Sequence, residues 1–245
     1  SAESMRKLRG DRIAMIFQDP LMTLNPVLRI EEQMLEAIDA HQKLPKAEAV
    51  RRCVEALAMV GIPAPEKRLR SYPHEFSGGM RQRVAIAIAM LNKPDLIICD
   101  EPTTALDVTI QGQILYRMQK ICQEHGTALI WITHDLGVIA ELADRVAVMY
   151  AGRIVETGTV AEVLDAPRHP YTQGLLNSLP AQATPGARLS QINGMAPSLS
   201  GRVPGCAFAP RCMRATPQCV TDQPPVTTIP GREFRCFVPL EAHAA

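Results

Sequence analysis

The chain has 245 residues, 47% of them hydrophobic and 21% charged, which is enough to bury a core in one large domain or two modest ones. A net charge of +1 and only 4% aromatic residues argue against nucleic-acid binding, which favours a basic face and stacking platforms. The longest apolar run, residues 84–91, is far shorter than the roughly 20 residues of a membrane span. Residues 1–9 lack the apolar segment of a secretory signal, so we expect a cytoplasmic protein that reaches a membrane only through partners.

The first predicted elements are a strand and a block of helices. Residues 12–18 form an apolar run of strand length that ends with Gln18 and is closed by Asp19-Pro20. From residue 30 to residue 91 the apolar residues recur at helical spacing. We therefore expect a buried strand followed by a helical region.

Ser77-Gly78-Gly79 stands directly before the last apolar helical run of this block. Serine is a good helix cap, and paired glycines let the backbone approach a ligand closely. The free N–H groups and the positive dipole end of a helix form an anion site that suits phosphate. Taken alone, however, these three residues are typical of an ordinary turn.

The next two strands end in polar side chains. Residues 96–99 are a short apolar run followed by Asp100 and Glu101, where one carboxylate could hold Mg²⁺ while its neighbour polarises a water molecule. Residues 128–133 form another apolar run, and His134 follows it. Ligands of open α/β sheets collect beyond the carboxyl ends of the strands, which is where these side chains are expected.

The order and spacing of these features resemble the motifs of ATP-binding-cassette (ABC) ATPases. Gln18 resembles the Q-loop glutamine, and Ser77-Gly78-Gly79 resembles the signature motif. Residues 96–101 resemble the Walker B motif, Ala105-Leu106-Asp107 the D-loop, and His134 the H-loop histidine. The resemblance implies an α/β fold: a P-loop NTPase-type (RecA-like) core with an inserted α-helical subdomain, plus a small loop-rich C-terminal extension.

The resemblance also implies how the chain handles its own nucleotide, ATP with Mg²⁺. Asp100 would position Mg²⁺, and Gln18 would complete the surroundings of the ion. Glu101 would act as general base on the attacking water, and His134 would contact the γ-phosphate.

Four further residues are implied to act across an interface with a second ABC ATPase subunit, in a homodimer or a heterodimer. Ser77, Gly78 and Gly79 would close over the ATP of the partner, and Asp107 would contact across the dimer. Two transmembrane permease subunits would contact the segment after Gln18, and a substrate-binding protein would take part indirectly. These partners imply a peripheral subunit at the cytoplasmic face of the inner membrane.

The composition changes near residue 167, and from Pro167 onward the chain holds 12 of its 20 prolines. Just before this change, residues 145–150 and 153–157 predict two strands joined by a hairpin turn at Ala151-Gly152. Residues 168–176 resemble the start of the C-terminal extension of oligopeptide and dipeptide importer ATPases. The predicted domains are a partial RecA-like core at 1–20 and 92–166, a helical subdomain at 21–91 and the extension at 167–245.

Four of the seven cysteines, Cys206, Cys212, Cys219 and Cys236, lie in this extension. In a reducing compartment such a group favours metal binding over disulfides. The spacing lacks the paired C-x2-C knuckles of common zinc sites, although four thiolates match the ligand count of a [4Fe–4S] cluster. The cysteines alone leave a cluster, zinc and no metal open. The resemblance implies a cluster, because some peptide-importer ATPases carry one at these cysteines.

The chain contains no Gly-Lys dipeptide and therefore no G-x-x-x-x-G-K-[ST] P-loop. A truncated sequence, lacking roughly the first quarter to third of the ATPase, is the simplest interpretation, and a natural degenerate subunit is the alternative. We expect the chain as given to be inactive alone.

The predicted function is that of an ATP-binding and ATP-hydrolysing subunit that energises import of di- and oligopeptides through an ABC transporter. An ATPase that serves import of nickel or another small solute within the same family is an alternative, as is a non-hydrolysing regulatory ABC-like fragment. A soluble ABC ATPase of DNA repair or translation is disfavoured. Such proteins lack the cysteine-bearing extension and usually have long coiled-coil or tandem-domain insertions.

Overall fold

The structure is a computed structural model that describes residues 2–19, 23–103, 108–179, 190–198, 201 and 203–241. The chain forms two compact units, Ser1–Val138 and Ile139–Ala245. The boundary between these two units does not coincide with any of the predicted domain boundaries. Those boundaries remain predictions. Asp107, with the rest of the predicted D-loop, lies outside the described residues.

The first unit contains a parallel three-stranded sheet in the order β1-β2-β3. Ile16 pairs with Cys99, and Cys99 pairs with Trp131, so the carboxyl ends of the three strands lie at one edge of the sheet. Parallel strands separated by helices agree with the predicted α/β fold. The strands are β1 (Ile13–Ile16), β2 (Leu96–Asp100) and β3 (Ala128–Ile132).

Most helices of this unit lie between β1 and β2, in the segment that the periodicity predicts to be helical. Helix α5 (Gly78–Met90) is apolar on most sides and is buried accordingly, with Val84, Ile86 and Ala87 in the core. A short 3₁₀ helix, Pro73–Glu75, precedes it. In chain order the helices are α1 (Ala2–Leu8), α2 (Ile30–Asp39), α3 (Lys46–Met59), α4 (Pro65–Arg68), α5 (Gly78–Met90), α6 (Val108–His125) and α7 (Leu136–Leu142), which continues into the second unit.

Two arginines from other helices donate hydrogen bonds to carbonyl groups at the C-terminal end of helix α3. Gly61 has a φ of +73°, a left-handed conformation that suits glycine and ends the helix. Arg117 Nη1 donates to the carbonyl of Met59 at 3.1 Å, and Arg83 Nη1 donates to that of Gly61 at 3.2 Å. Cations are favourable there because a helix C-terminus carries partial negative charge. These bonds tie α3 to α5 and α6.

The second unit is built on an antiparallel four-stranded sheet in the order β4-β5-β7-β6. The predicted hairpin is confirmed: Ala151 and Gly152 have φ values of 49° and 75°, as a tight two-residue turn requires. The other two strands were not predicted, since each has only three residues. The strands are β4 (Arg145–Tyr150), β5 (Arg153–Thr159), β6 (Thr227–Ile229) and β7 (Arg232–Phe234).

The helices of the second unit are short. They are α8 (Val160–Leu164), α9 (Pro170–Asn177), α10 (Pro217–Thr221) and a 3₁₀ helix at Ala209–Arg211. Across the described parts of both units, no helix has the length and apolar character that a membrane span requires.

A buried ion pair joins β5, β7 and the start of α9. Glu156 is 1% exposed, and its Oε1 accepts from Arg232 Nη2 at 2.6 Å. The same carboxylate accepts from the backbone N–H of Arg168 at 2.6 Å and of His169 at 2.9 Å. A buried charge needs such partners because desolvation is costly. The pair therefore links the C-terminal strands to the hairpin.

Candidate functional site

Three of the predicted site residues meet at the carboxyl edge of the parallel sheet. Gln18 follows β1, Glu101 follows β2 and His134 follows β3. Gln18 Nε2 donates to Glu101 Oε2 at 3.1 Å, and Glu101 Oε1 lies 3.2 Å from His134 Nδ1. Since an ionised carboxylate only accepts, Nδ1 carries the proton in this pair. The structure thus brings together the side chains that the resemblance assigns to Mg²⁺, water and the γ-phosphate.

The backbone at Glu101 has a strained conformation. Its φ is 45°, a left-handed conformation that is uncommon for any residue except glycine. Its N–H donates to the carbonyl of Ile132 at 2.9 Å, which holds the end of β2 against β3. The side chain stays 27% exposed. Such backbone outliers are concentrated at functional sites, where the surrounding structure imposes them.

Asp100 is the last residue of β2 and is half-buried. Among the described residues its carboxylate has no hydrogen bond or ion pair, in contrast to Glu101. Mg²⁺ in nucleotide-hydrolysing sites takes one or two carboxylates together with substrate phosphates and water. A carboxylate without a partner among the described residues, adjacent in sequence to Glu101, fits that chemistry, so these oxygen donors suit Mg²⁺.

Asp135 is a residue that the sequence reasoning did not use. Its Oδ1 accepts from the backbone N–H of Gly137 at 2.9 Å and of Val138 at 3.4 Å, which caps α7. Its Oδ2 accepts from Gln111 Nε2 of α6 at 3.3 Å. Asp135 therefore fixes the turn that carries His134. An aspartate directly before a helical pattern is typical of a helix N-cap, so the sequence did contain a signal for this role.

Ser77 caps α5, as its sequence context predicts. Ser77 Oγ accepts from the N–H of Met80 at 3.3 Å, and among the described residues this is the only bond of that hydroxyl. Ser77 and Gly78 are exposed, and Gly79 is half-buried. A Cβ added at Gly78 would meet no atom within 4 Å, so the packing of the chain itself does not require glycine there. A ligand or partner that approaches closely would require it.

The four extension cysteines line one cavity in the second unit. Cys206, Cys212, Cys219 and Cys236 surround it, and His169 and Phe208 complete much of the wall. The space amounts to about 10 Å³, close to that of one water molecule. Sequence spacing alone did not predict that all four cysteines line one cavity.

The thiol set fits a metal cofactor in number and type. Burial raises the pKa of Cys206 and Cys212, and it raises the pKa of Cys236 to about 11. Without a cation these thiols stay protonated, whereas a metal centre favours the thiolate form. In the part of the chain that is described, no three His, Cys, Asp or Glu side chains are close enough to hold a metal ion. The four thiols therefore match a metal cofactor in number and type, but the described spacing between them does not yet form a metal site.

Backbone contacts hold the cysteine segments together. The N–H of Cys206 donates to the carbonyl of Cys219 at 2.8 Å. A Cβ at Gly205 would collide with the carbonyl oxygens of Cys219 and Val220, so only glycine permits this approach.

His169 is buried in the wall of the same cavity. It is 1% exposed, and burial lowers its pKa to about 4, although Glu156 opposes the shift. Its Nδ1 accepts from the N–H of Tyr171 at 3.0 Å, which caps α9. The sequence reasoning noted the His-Pro-Tyr run only as part of the extension.

Comparison with known proteins agrees with this geometry. Residues 1–104 match the ABC transporter family, and residues 155–219 match the family described as the oligopeptide/dipeptide transporter, C-terminal region. The oligopeptide transport ATP-binding protein AppD of Bacillus subtilis is 51% identical over 95% of this chain and 71% of its own length. The oligopeptide transport ATP-binding protein OppD of Salmonella typhimurium is 48% identical over 97% of this chain and 71% of its own length.

A solved structure supports the same assignment of the fold. The dimeric ABC cassette MJ0796 in a post-hydrolysis state, bound to ADP and Pi, aligns with a TM-score of 0.58 and 29% identity. The alignment covers 65% of this chain and 68% of that one. The fold and the site define an ATP-binding protein of the ABC class. Within that class the chain belongs to the oligopeptide/dipeptide transporter family.

Proposed function

We propose that this chain is the ATP-hydrolysing subunit that powers uptake of di- and oligopeptides through an ABC transporter. The observation that carries the proposal is the meeting of Gln18, Glu101 and His134 at the carboxyl edge of the sheet. The peptide specificity rests on the relatives, among them AppD and the dipeptide transport ATP-binding protein DppD of Bacillus subtilis, which is 52% identical over 86% of this chain and 63% of its own length.

In the proposed reaction the adjacent carboxylates of Asp100 and Glu101 have separate roles. Asp100 would hold Mg²⁺, and Gln18 would complete its surroundings. Glu101 would orient the attacking water and accept its proton, while His134 would contact the γ-phosphate. Positioning and charge stabilisation supply most of the catalysis in phosphoryl transfer, so the hydrogen bonds that hold Glu101 in place matter as much as its basicity.

In this proposal the start of α5 contacts a second ATP, which is held by another ATPase subunit. Ser77 and Gly78 are exposed, and the free N–H groups of the first turn suit the γ-phosphate of ATP held by a second ATPase subunit. The dimeric state of MJ0796 supports a paired arrangement. Gly79 belongs to the same helix start, and Asp107 would contact across the dimer.

The proposed partners follow from the same assignment. Two transmembrane permease subunits would contact the segment after Gln18, and a substrate-binding protein would deliver the peptide to these permease subunits. The chain would thus work as a peripheral subunit at the cytoplasmic face of the inner membrane.

A reconstituted transporter tests the proposed function. The protein is expressed from its complete gene and assembled in proteoliposomes with its permease subunits and substrate-binding protein. We expect peptide-loaded binding protein to stimulate ATP hydrolysis several-fold over unloaded binding protein. Stimulation by Ni²⁺ and not by peptides would overturn the peptide assignment, and an assembled complex without ATP hydrolysis would overturn the enzymatic one.

The second unit is proposed to carry a [4Fe–4S] cluster held by Cys206, Cys212, Cys219 and Cys236. The support is the cavity that all four thiols line. When bound, such a cluster cross-links segments that have little apolar surface and adds to their folding free energy. Anaerobically purified protein is expected to contain about four iron and four sulfide per chain, the content that this type of cluster defines. Cys219→Ser should lose both, whereas Cys53→Ala, in the first unit, should retain them.

A further inference from the structure

Helix α5, which begins with the residues that resemble the signature motif, has little polar surface to fix its rotation about its own axis. Residues 84–87 cover a full helical turn, and all of them are buried. Apolar burial is non-directional, whereas a hydrogen bond requires a defined distance and angle. Hydrogen bonds to neighbouring elements are therefore the contacts that can set where the first turn of α5 points.

Arg83 makes these contacts. Its Nη1 donates to the carbonyl of Gly61 at the end of α3 at 3.2 Å, and its Nη2 donates to Gln113 Oε1 of α6 at 2.8 Å. Across the described ranges of the chain, no other side chain of α5 forms a hydrogen bond or an ion pair with another element. A guanidinium is a planar fork of donors, so two acceptors on different helices fix both its position and its orientation.

The contact with α6 refers the start of α5 to the catalytic edge of the sheet. Arg83 lies six residues after Ser77, less than two turns of helix, so a shift at Arg83 also moves the first turn. On the other side of the contact, α6 is tied to the turn that carries His134, because Gln111 Nε2 donates to Asp135 Oδ2 at 3.3 Å. One helix therefore contacts both the His134 turn and the helix that Ser77 caps.

We propose that Arg83 is a positioning residue, which orients the first turn of α5 toward the ATP of a second ATPase subunit, with Gln113 as its acceptor on α6. This inference rests on the proposed function, in which that turn contacts the second ATP. Phosphoryl transfer depends mainly on positioning and charge stabilisation. A displacement of about 1 Å at the reacting groups can lower a rate about 100-fold, so loss of these hydrogen bonds is expected to slow hydrolysis.

Two substitutions remove the contacts in steps. Arg83→Met keeps a long unbranched side chain and removes both hydrogen bonds. Gln113→Ala removes only the bond to α6, and it should not lower the stability of the subunit, because Gln113 is exposed and alanine favours a helix. Gln123→Ala is the matched control: Gln123 is an exposed glutamine of the same helix whose side chain has no hydrogen bond in the described part of the chain.

The measurements use the protein expressed from its complete gene. They are the ATP hydrolysis rate of the assembled transporter in proteoliposomes, the ATP affinity of the unassembled subunit and the melting temperature of that subunit. We expect the rate to fall about fivefold in Gln113→Ala and at least about tenfold in Arg83→Met. The ATP affinity of the unassembled subunit should remain that of wild type, since the first turn of α5 contacts the ATP of the partner. Gln123→Ala should retain the wild-type rate.

The double variant tests whether Gln113 acts through Arg83. When Arg83→Met has already removed the donor, the addition of Gln113→Ala should not lower the rate further. A second loss of about fivefold would contradict the proposed contact.

The outcomes distinguish this inference from the proposed function. A wild-type transporter that assembles but does not hydrolyse ATP overturns the proposed function and this inference with it. Wild-type hydrolysis that is unchanged in Gln113→Ala overturns the role of Arg83 alone, whether or not Arg83→Met folds. A rate loss in Gln113→Ala that comes with a lower melting temperature or a lower ATP affinity of the subunit also overturns it. A rate loss with both properties at their wild-type values supports it.

Discussion

Gln18 Nε2 donates a hydrogen bond to Glu101 Oε2 at 3.1 Å, although 83 residues separate the two along the chain. The parallel pairing of β1 with β2 makes this possible, because it places the ends of both strands at the same edge. His134, at the end of β3, contacts the other oxygen of the same carboxylate. The three-stranded sheet therefore brings the candidate catalytic residues together. No single local motif contains all three of them.

The end of α3 provides a test of how the helical segment is held. Gly61→Ala introduces a Cβ in a left-handed conformation, and that Cβ would lie 2.7 Å from the Arg117 guanidinium. We expect a loss of about 1–3 kcal/mol in the free energy of unfolding. Urea denaturation followed by the fluorescence of Trp131, the single tryptophan, measures it.

Gly112→Ala is the matched control for this change. Gly112 lies inside α6, is exposed, and a Cβ there would meet no atom within 4 Å. Alanine should stabilise the protein by about 0.5–1 kcal/mol, since glycine is unfavourable inside a helix. Equal effects of the two substitutions would contradict the described end of α3.

The buried ion pair of the second unit predicts a large effect of a single carboxylate. Glu156→Ala leaves Arg232 buried without its partner and also removes the acceptor of two backbone N–H groups. We expect a loss of about 3–5 kcal/mol. Calorimetry of the thermal transition measures it. The exposed Glu233→Ala, on the neighbouring strand, should change stability by less than about 0.5 kcal/mol. A small effect of Glu156→Ala would show that β7 is not held as described.

Stability is expected to fall at alkaline pH because of the Cys53 thiol. Burial raises the pKa of Cys53 from 9.0 to about 12. Above pH 9 the unfolded chain loses this proton and the folded chain keeps it, so unfolding becomes easier as pH rises. Cys53→Ala removes the titration. Its stability deficit relative to wild type should shrink by about 1 kcal/mol between pH 8 and pH 10, as measured by urea denaturation. A constant deficit would contradict the raised pKa.

The candidate active site was predictable from the sequence because each of its residues follows a recognisable apolar run. Gln18, Glu101 and His134 end strands, and the rule that ligands collect at the carboxyl ends of parallel strands predicts their meeting. The capping role of Ser77 was predictable for a similar reason, since it depends on neighbouring residues alone.

The second unit was less predictable because long-range pairing decides its structure. Strands β6 and β7 have three residues each, too few for periodicity to be detected. The pairing of Glu156 with Arg232 joins residues 76 positions apart, and neither residue type favours burial. His169 was missed as a neighbour of the cysteines for the same reason.

The ATP hydrolysis rate of Glu101→Gln, in the assembled transporter made from the complete gene, tests the central claim most directly. Glutamine keeps the size and the hydrogen-bonding reach of Glu101 but cannot accept a proton from water. We predict a rate at least about 100-fold below wild type with ATP affinity retained. Asp95→Asn, at the other end of β2, should keep the wild-type rate, because its exposed ion pair with Arg12 contributes little. Wild-type hydrolysis by Glu101→Gln would contradict the assignment of this edge of the sheet as the catalytic site.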